Sequence, residues 1–108
     1  MQIFYSDEFL KSVKKLSKRY KSIKNDLKKF IKELEEEPNL GIEIQPNIFK
    51  ARIKNSDINK GKSAGYRIII YLISRDEILL VNIYSKSDLA NIPEQEIDKI
   101  ISQYFKNI

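Results

Sequence analysis

The sequence predicts an α+β domain with the element order β-α-α-β-β-β-α, an amphipathic helical hairpin packed on a mainly antiparallel sheet. Three observations lead there. Apolar residues recur at helical spacing between Asp7 and Glu36, three runs after Pro46 have strand character, and a second amphipathic segment follows Pro93. With 108 residues the chain has the usual size of a single domain, and residues 1–108 are read as one unit.

Residues 2–5 are short and partly apolar, and read as a first strand. Ser6, followed by Asp7 and Glu8, offers a capping side chain and two carboxylates where the positive end of a helix favours them. Phe9, Val13, Leu16 and Tyr20 then form one apolar stripe, and Ile23, Leu27, Phe30, Ile31 and Leu34 form another. Two helices are predicted, with a single helix from Asp7 to Glu36 as the alternative, because nothing stronger than "YKS" marks the break. Pro38 and Gly41 end the helical region, and "PNLGIEIQPN" reads as a connector. Alternation in 49–54 places Lys50, Arg52 and Lys54 on one face and Phe49, Ala51 and Ile53 on the other. The runs 66–73 and 78–84 are almost continuously apolar and are separated by "SRDE", as in a hairpin of two central strands. After Pro93, Glu94 and Glu96 precede Ile97, Ile100, Ile101 and Tyr104 at helical spacing, which predicts a closing helix.

Composition narrows the chemistry. Lys and Arg number 20 against 15 Asp and Glu, for a net charge of +5, so anionic partners are favoured. There is no Cys and no His, which removes disulfides, thiolate nucleophiles, the usual zinc and copper sites and the usual hydrolytic triads. No cofactor or metal is expected. The N-terminal "MQIFYSDEF" lacks the pattern of a signal peptide and no run of about 18 apolar residues suggests a membrane span, so a cytoplasmic location is expected. "GKS" at Gly61 to Ser63 matches the end of a phosphate-binding P-loop, but Ser56 stands where the first Gly is required.

The lysines from Lys11 to Lys32 are interleaved with Asp26, Glu33 and Glu35, and read as a solvated helix face. The segment 50–67 is different. Cations at alternate strand positions point the same way and repel unless something negative lies between them. An exposed edge strand that uses Lys against aggregation would account for Lys50 and Lys54. It explains Arg67 poorly, since this residue lies inside the apolar run "GYRIIIYLI". A cationic site of this kind is able to cleave RNA, where the neighbouring 2′-hydroxyl is the nucleophile. The protein then has to align it, take its proton and stabilise the charge that develops on phosphorus. A lysine crowded by other cations is a plausible base, and an arginine a permanent electrostatic stabiliser.

Three stretches, "FKARIK", "GYRIIIYLI" and "LLVNIYSKSD", resemble the basic strand, the Gly-aromatic-Arg strand start and the Lys-containing final strand turn of the RelE/ParE toxin superfamily. The likeness is to the RelE-like and HigB-like messenger-RNA interferases. It implies a RelE-like fold, metal-independent cleavage of messenger RNA in the ribosomal A site, and a cognate antitoxin protein as partner. It also implies catalytic roles for Lys50, Arg52, Arg67 and Lys86, with Lys54 as a further cation on that face; the loop residues Lys60 and Lys62 and the aromatic Tyr84 read as RNA or ribosome contacts, with packing in the core as the alternative for Tyr84. Ser87 stands where the RelE pattern has a further Arg, and "DLANIP" has no counterpart of its late Tyr, which leaves the general acid unassigned. The loop 55–64 is longer than in compact RelE proteins and is expected to be a flexible, phosphate-contacting segment. A non-enzymatic ParE-like inhibitor of DNA gyrase is the alternative on the same fold.

Overall fold

The computed structural model describes residues 1–59 and 61–107, with the side chain of Ser63 left aside. Its elements are β1 (Gln2–Tyr5), α1 (Asp7–Ser17), α2 (Ile23–Glu36), β2 (Ile42–Gln45), β3 (Ile48–Ile53), β4 (Tyr66–Ser74), β5 (Glu77–Ser85) and α3 (Glu94–Lys106). The class and element order expected from the sequence are present, with one strand added. The connector after Pro38 supplies β2, which pairs antiparallel with β3 through Ile42↔Lys50 and Glu43↔Phe49. This strand is short and carries few buried side chains, so periodicity gave no sign of it.

All five strands form one sheet in the order β1-β5-β4-β3-β2. Every neighbouring pair is antiparallel except β1 with β5. β4 and β5 are the central, doubly covered strands, and this accounts for their nearly unbroken apolar sequence. On one side, Ala51, Ile53, Ile68, Ile70, Ile78 and Leu80 pack under Phe9 and Leu16 of α1 and Ile23, Leu27, Phe30 and Leu34 of α2. On the other, Ile48, Ile69, Leu79, Val81 and Tyr84 pack with Ile92, Ile97 and Ile100 of the α3 region. No described helix is long and apolar enough to cross a membrane.

The two helices of the hairpin are separate, although no Gly or Pro lies between them. Tertiary contacts make the break. The Tyr20 ring meets Tyr66 edge-on at 5.8 Å, and the backbone N–H of Ser22 donates to the Asp57 carboxylate at 2.8 Å. Ser6 joins the helix to the sheet: its Oγ accepts from Phe9 N–H at 3.0 Å as the N-cap of α1 and donates to the Val81 carbonyl at 2.6 Å. Ser6→Ala removes both bonds at a buried position and is expected to cost about 1–3 kcal/mol, read from urea unfolding.

Candidate functional site

Alternation along β3 sends Ala51 and Ile53 into the core beneath the helical hairpin, so Lys50 and Arg52 project from the opposite face of the sheet. β3 is an internal strand, because β2 covers its outer edge. The pairing reaches Lys50, so protection of an exposed edge does not account for that cation. On their face α3 covers the apolar end, around Ile69, Leu79 and Val81. Beyond it lies a row across three strands, with Arg52 paired to Arg67 and Arg67 paired to Tyr84. Lys50 lies along β3 opposite Ile69.

Two guanidinium-bearing residues directly opposite one another in an antiparallel pair repel, and the fold gains nothing from placing them there. Arg67 is only 4% exposed. Its Nη1 donates to the carbonyls of Lys62 at 3.1 Å and Tyr66 at 3.3 Å. Burial, and then the facing Arg52 charge, push the Arg67 guanidinium below its ordinary value. It nevertheless stays cationic at neutral pH, as an arginine does in proteins generally. Burial raises the Tyr84 phenol, and Arg67 offsets part of that rise. Tyr84 is therefore a neutral hydrogen-bond donor at neutral pH, and its buried hydroxyl has no hydrogen-bond partner among the described residues.

The other expected residues frame this row. Lys50 Nζ donates to Asn91 Oδ1 at 3.0 Å, which ties the ammonium to the segment leading into α3 through a neutral acceptor. Lys50, Arg52, Lys54, Lys62, Arg67 and Lys86 line one open depression. Tyr84 lies behind it, packed among the residues beneath α3. Lys60 lies outside the described residues. The backbone N–H of Lys86 donates to the Gly65 carbonyl at 3.0 Å, which holds the turn after β5 against the start of β4. A Cβ on Gly65 would lie 2.2 Å from the Ile53 carbonyl oxygen, so only glycine permits this approach of β4 to β3.

The loop 55–64, expected to be flexible, is tied down near its start. Ser56 N–H donates to the Asp26 carboxylate at 3.0 Å, Asp57 N–H donates to Asn55 Oδ1 at 2.9 Å, and Asn55 is buried. On the other side, Arg19 makes a two-point contact with Asp88, with distances of 2.8 and 2.7 Å to the two carboxylate oxygens. The turn between α1 and α2 thus grips the loops on both sides of Arg67. Sequence reasoning missed Asn91, which had no motif to mark it. Gly65 stood in the Gly-aromatic-Arg strand start that the sequence showed, but its role in permitting the Arg52–Arg67 approach is visible only in the structure. Among the described residues, no group of three or more carboxylates is placed to hold a metal ion.

A search of curated proteins returned no match. The family described as "RelE toxin of RelE / RelB toxin-antitoxin system" matches residues 1–107. That match spans every element of the fold and the whole cationic row. The chain therefore belongs to the RelE toxin family, as a toxin of a toxin–antitoxin system with an antitoxin for its partner.

Proposed function

We propose that residues 1–108 act as one RelE-like domain, a ribosome-dependent endoribonuclease that cleaves translated messenger RNA in the ribosomal A site. The observation that carries this reading is the placement of Arg67 directly opposite Arg52 on the sheet face beyond α3, with Lys50 on the same face. Two fixed cations side by side suit a phosphate whose charge increases in the transition state. The 2′-oxygen attacks phosphorus, the bond to the 5′-oxygen breaks, that oxygen takes a proton from solvent, and the products are a 2′,3′-cyclic phosphate and a 5′-hydroxyl.

In this reading Lys50 acts as its neutral amine: oriented by Asn91, it takes the proton from the 2′-hydroxyl and becomes an ammonium. Arg52 and Arg67 hold the non-bridging oxygens. Tyr84 adds a neutral donor behind Arg67. Lys86 contacts a phosphate at the far side of the depression, and Lys54, Lys60 and Lys62 hold the RNA to either side of the scissile bond. The reaction as written needs no metal. A small open face does not enclose a flexible strand, so alignment of the messenger is left to the ribosome. The antitoxin acts in the cytoplasm by covering the same face with acidic residues.

Lys50→Ala separates chemistry from attachment. Its expected effect is a fall in single-turnover messenger cleavage on programmed ribosomes of about 10²-fold or more, with ribosome affinity changed less than about threefold. Equal losses in both would make Lys50 a binding residue. DNA damage in cells with intact messenger would favour the gyrase-inhibitor alternative.

A further inference from the structure

Ile42, the first residue of β2, is 64% exposed, more than any other large apolar side chain among the described residues. A single exposed isoleucine is ordinary. Its position is not. Ile42 pairs with Lys50 across the β2–β3 ladder, so the two side chains lie side by side on one face, and Arg52 follows two residues on with Arg67 opposite it. Gly41 has φ of +92°, and a Cβ there would collide with the Lys50 carbonyl oxygen, so glycine is what lets the chain turn tightly into β2. Ile42 therefore stands at a fixed place beside Lys50.

The depression that holds Lys50, Arg52 and Arg67 opens past Ile42, over the part of the β3 edge that β2 leaves bare, to a wall formed by α2. Its charge is not uniform. Asp26, near the start of α2, accepts from the Ser56 backbone, which places that end of the helix by the residues after β3. The other end carries Glu33 and leads through Glu37 and Asn39 to Gly41 and Ile42. Both glutamates line the depression, and neither forms an ion pair among the described residues. A phosphate is thus drawn to Arg52 and Arg67 and repelled from the end at Ile42.

We propose that Ile42 is the shelf for a nucleobase, that of the nucleotide on the 5′ side of the scissile bond. The row then matches the parts of one nucleotide in order: the base on Ile42, the ribose with its 2′-hydroxyl at Lys50, and the 3′-phosphate at Arg52 and Arg67. Ile42 and Arg52 are diagonal neighbours across the ladder, about 7–8 Å apart, a gap that one ribose spans. Single-stranded RNA is held by cations along its backbone and by side-chain faces against its bases, and Ile42 offers such a face where the surrounding charge excludes a phosphate. The carboxylates at the rim favour a base whose Watson–Crick edge presents amino hydrogens. Guanine suits them best, with its N1–H and amino group side by side, and uracil least, because two carbonyl oxygens flank its one N–H. The assignment of ribose and phosphate to Lys50, Arg52 and Arg67 rests on the function proposed above.

The test titrates the full chain, with its isoleucine methyl groups isotope-labelled for NMR, with guanosine 3′-monophosphate, uridine 3′-monophosphate and ribose 3-phosphate, which lacks a base. Guanosine 3′-monophosphate should move the Ile42 methyl signal upfield, through the ring current of a base lying on it, and bind about fivefold or more tightly than either other ligand. Ile42→Ser should abolish that advantage while the affinity for ribose 3-phosphate stays within about twofold. Its Tm should change by no more than about 3 °C, because the side chain is exposed. Ile42→Leu should keep most of the advantage. An Ile42 methyl signal that does not move, equal affinity for the three ligands, or an advantage that survives in Ile42→Ser would overturn the proposal. A wild-type protein that shows this base-dependent binding yet cleaves no messenger on ribosomes contradicts the nuclease reading alone, and one that cleaves messenger without it contradicts the base shelf alone.

Discussion

Arg67→Ala is expected to lower messenger cleavage on programmed ribosomes by about 10²–10³-fold, the usual consequence of removing one preorganised donor to a developing oxyanion. The structure gives reasons for an effect at the upper end. Arg67 is almost wholly buried, its guanidinium is fixed by the Lys62 and Tyr66 carbonyls, and it stands across from Arg52 in register. A fixed charge in a partly desolvated position does not reorganise during the reaction. Arg67→Lys should recover only part of the loss, because an ammonium cannot keep the forked contacts and meet a phosphate at the same time. Both variants should remain folded by circular dichroism, since Arg67→Ala relieves a like-charge pair and Arg67→Lys adds no charge that the fold does not already hold. A cleavage rate within threefold of wild type for Arg67→Ala would remove this residue from the mechanism.

Gly65→Ala should damage stability and cleavage together. The φ of −85° at Gly65 lies outside the left-handed region that favours glycine, so the expected effect is not one of positive φ. It is one of space. The added Cβ would meet the Ile53 carbonyl oxygen at 2.2 Å and Asn55 N at 3.0 Å, and these are backbone atoms that cannot rotate away. β4 must therefore move from β3 beside the Arg52–Arg67 pair, and the Gly65 carbonyl that receives Lys86 N–H moves with it. The expected cost is about 2 kcal/mol or more, seen as a fall in Tm on the order of 10 °C. Cleavage should fall by more than the loss of folded protein explains. A variant with wild-type Tm would show that the two strands tolerate separation here.

Much of the fold was legible because each element carried a local signal. Ser6 before Asp7 and Glu8 marked a helix start, the runs on either side of "SRDE" marked two doubly covered strands, and Pro93 marked the closing helix. β2 was missed because an edge strand of four residues has little buried side chain to impose a period. The break in the hairpin was only weakly marked, since Tyr66 and Asp57, far along the chain, make it. At the site, alternation was enough to put Lys50 and Arg52 on one face. It could not reveal that Arg67 is their neighbour, because register across a sheet is set by turns and bulges and not by either strand alone. Asn91 and the pinned start of the 55–64 loop belong to the same class. They are contacts between distant segments with no periodic trace.

The most direct measurement of the central claim is primer extension on a defined messenger, incubated with the purified protein free or on ribosomes stalled with an open A site. The account predicts new 5′ ends within the A-site codon on the ribosome, a 2′,3′-cyclic phosphate on the upstream fragment, and little or no cleavage of the free messenger. Intact messenger on competent ribosomes, or equal cleavage with and without them, would contradict it.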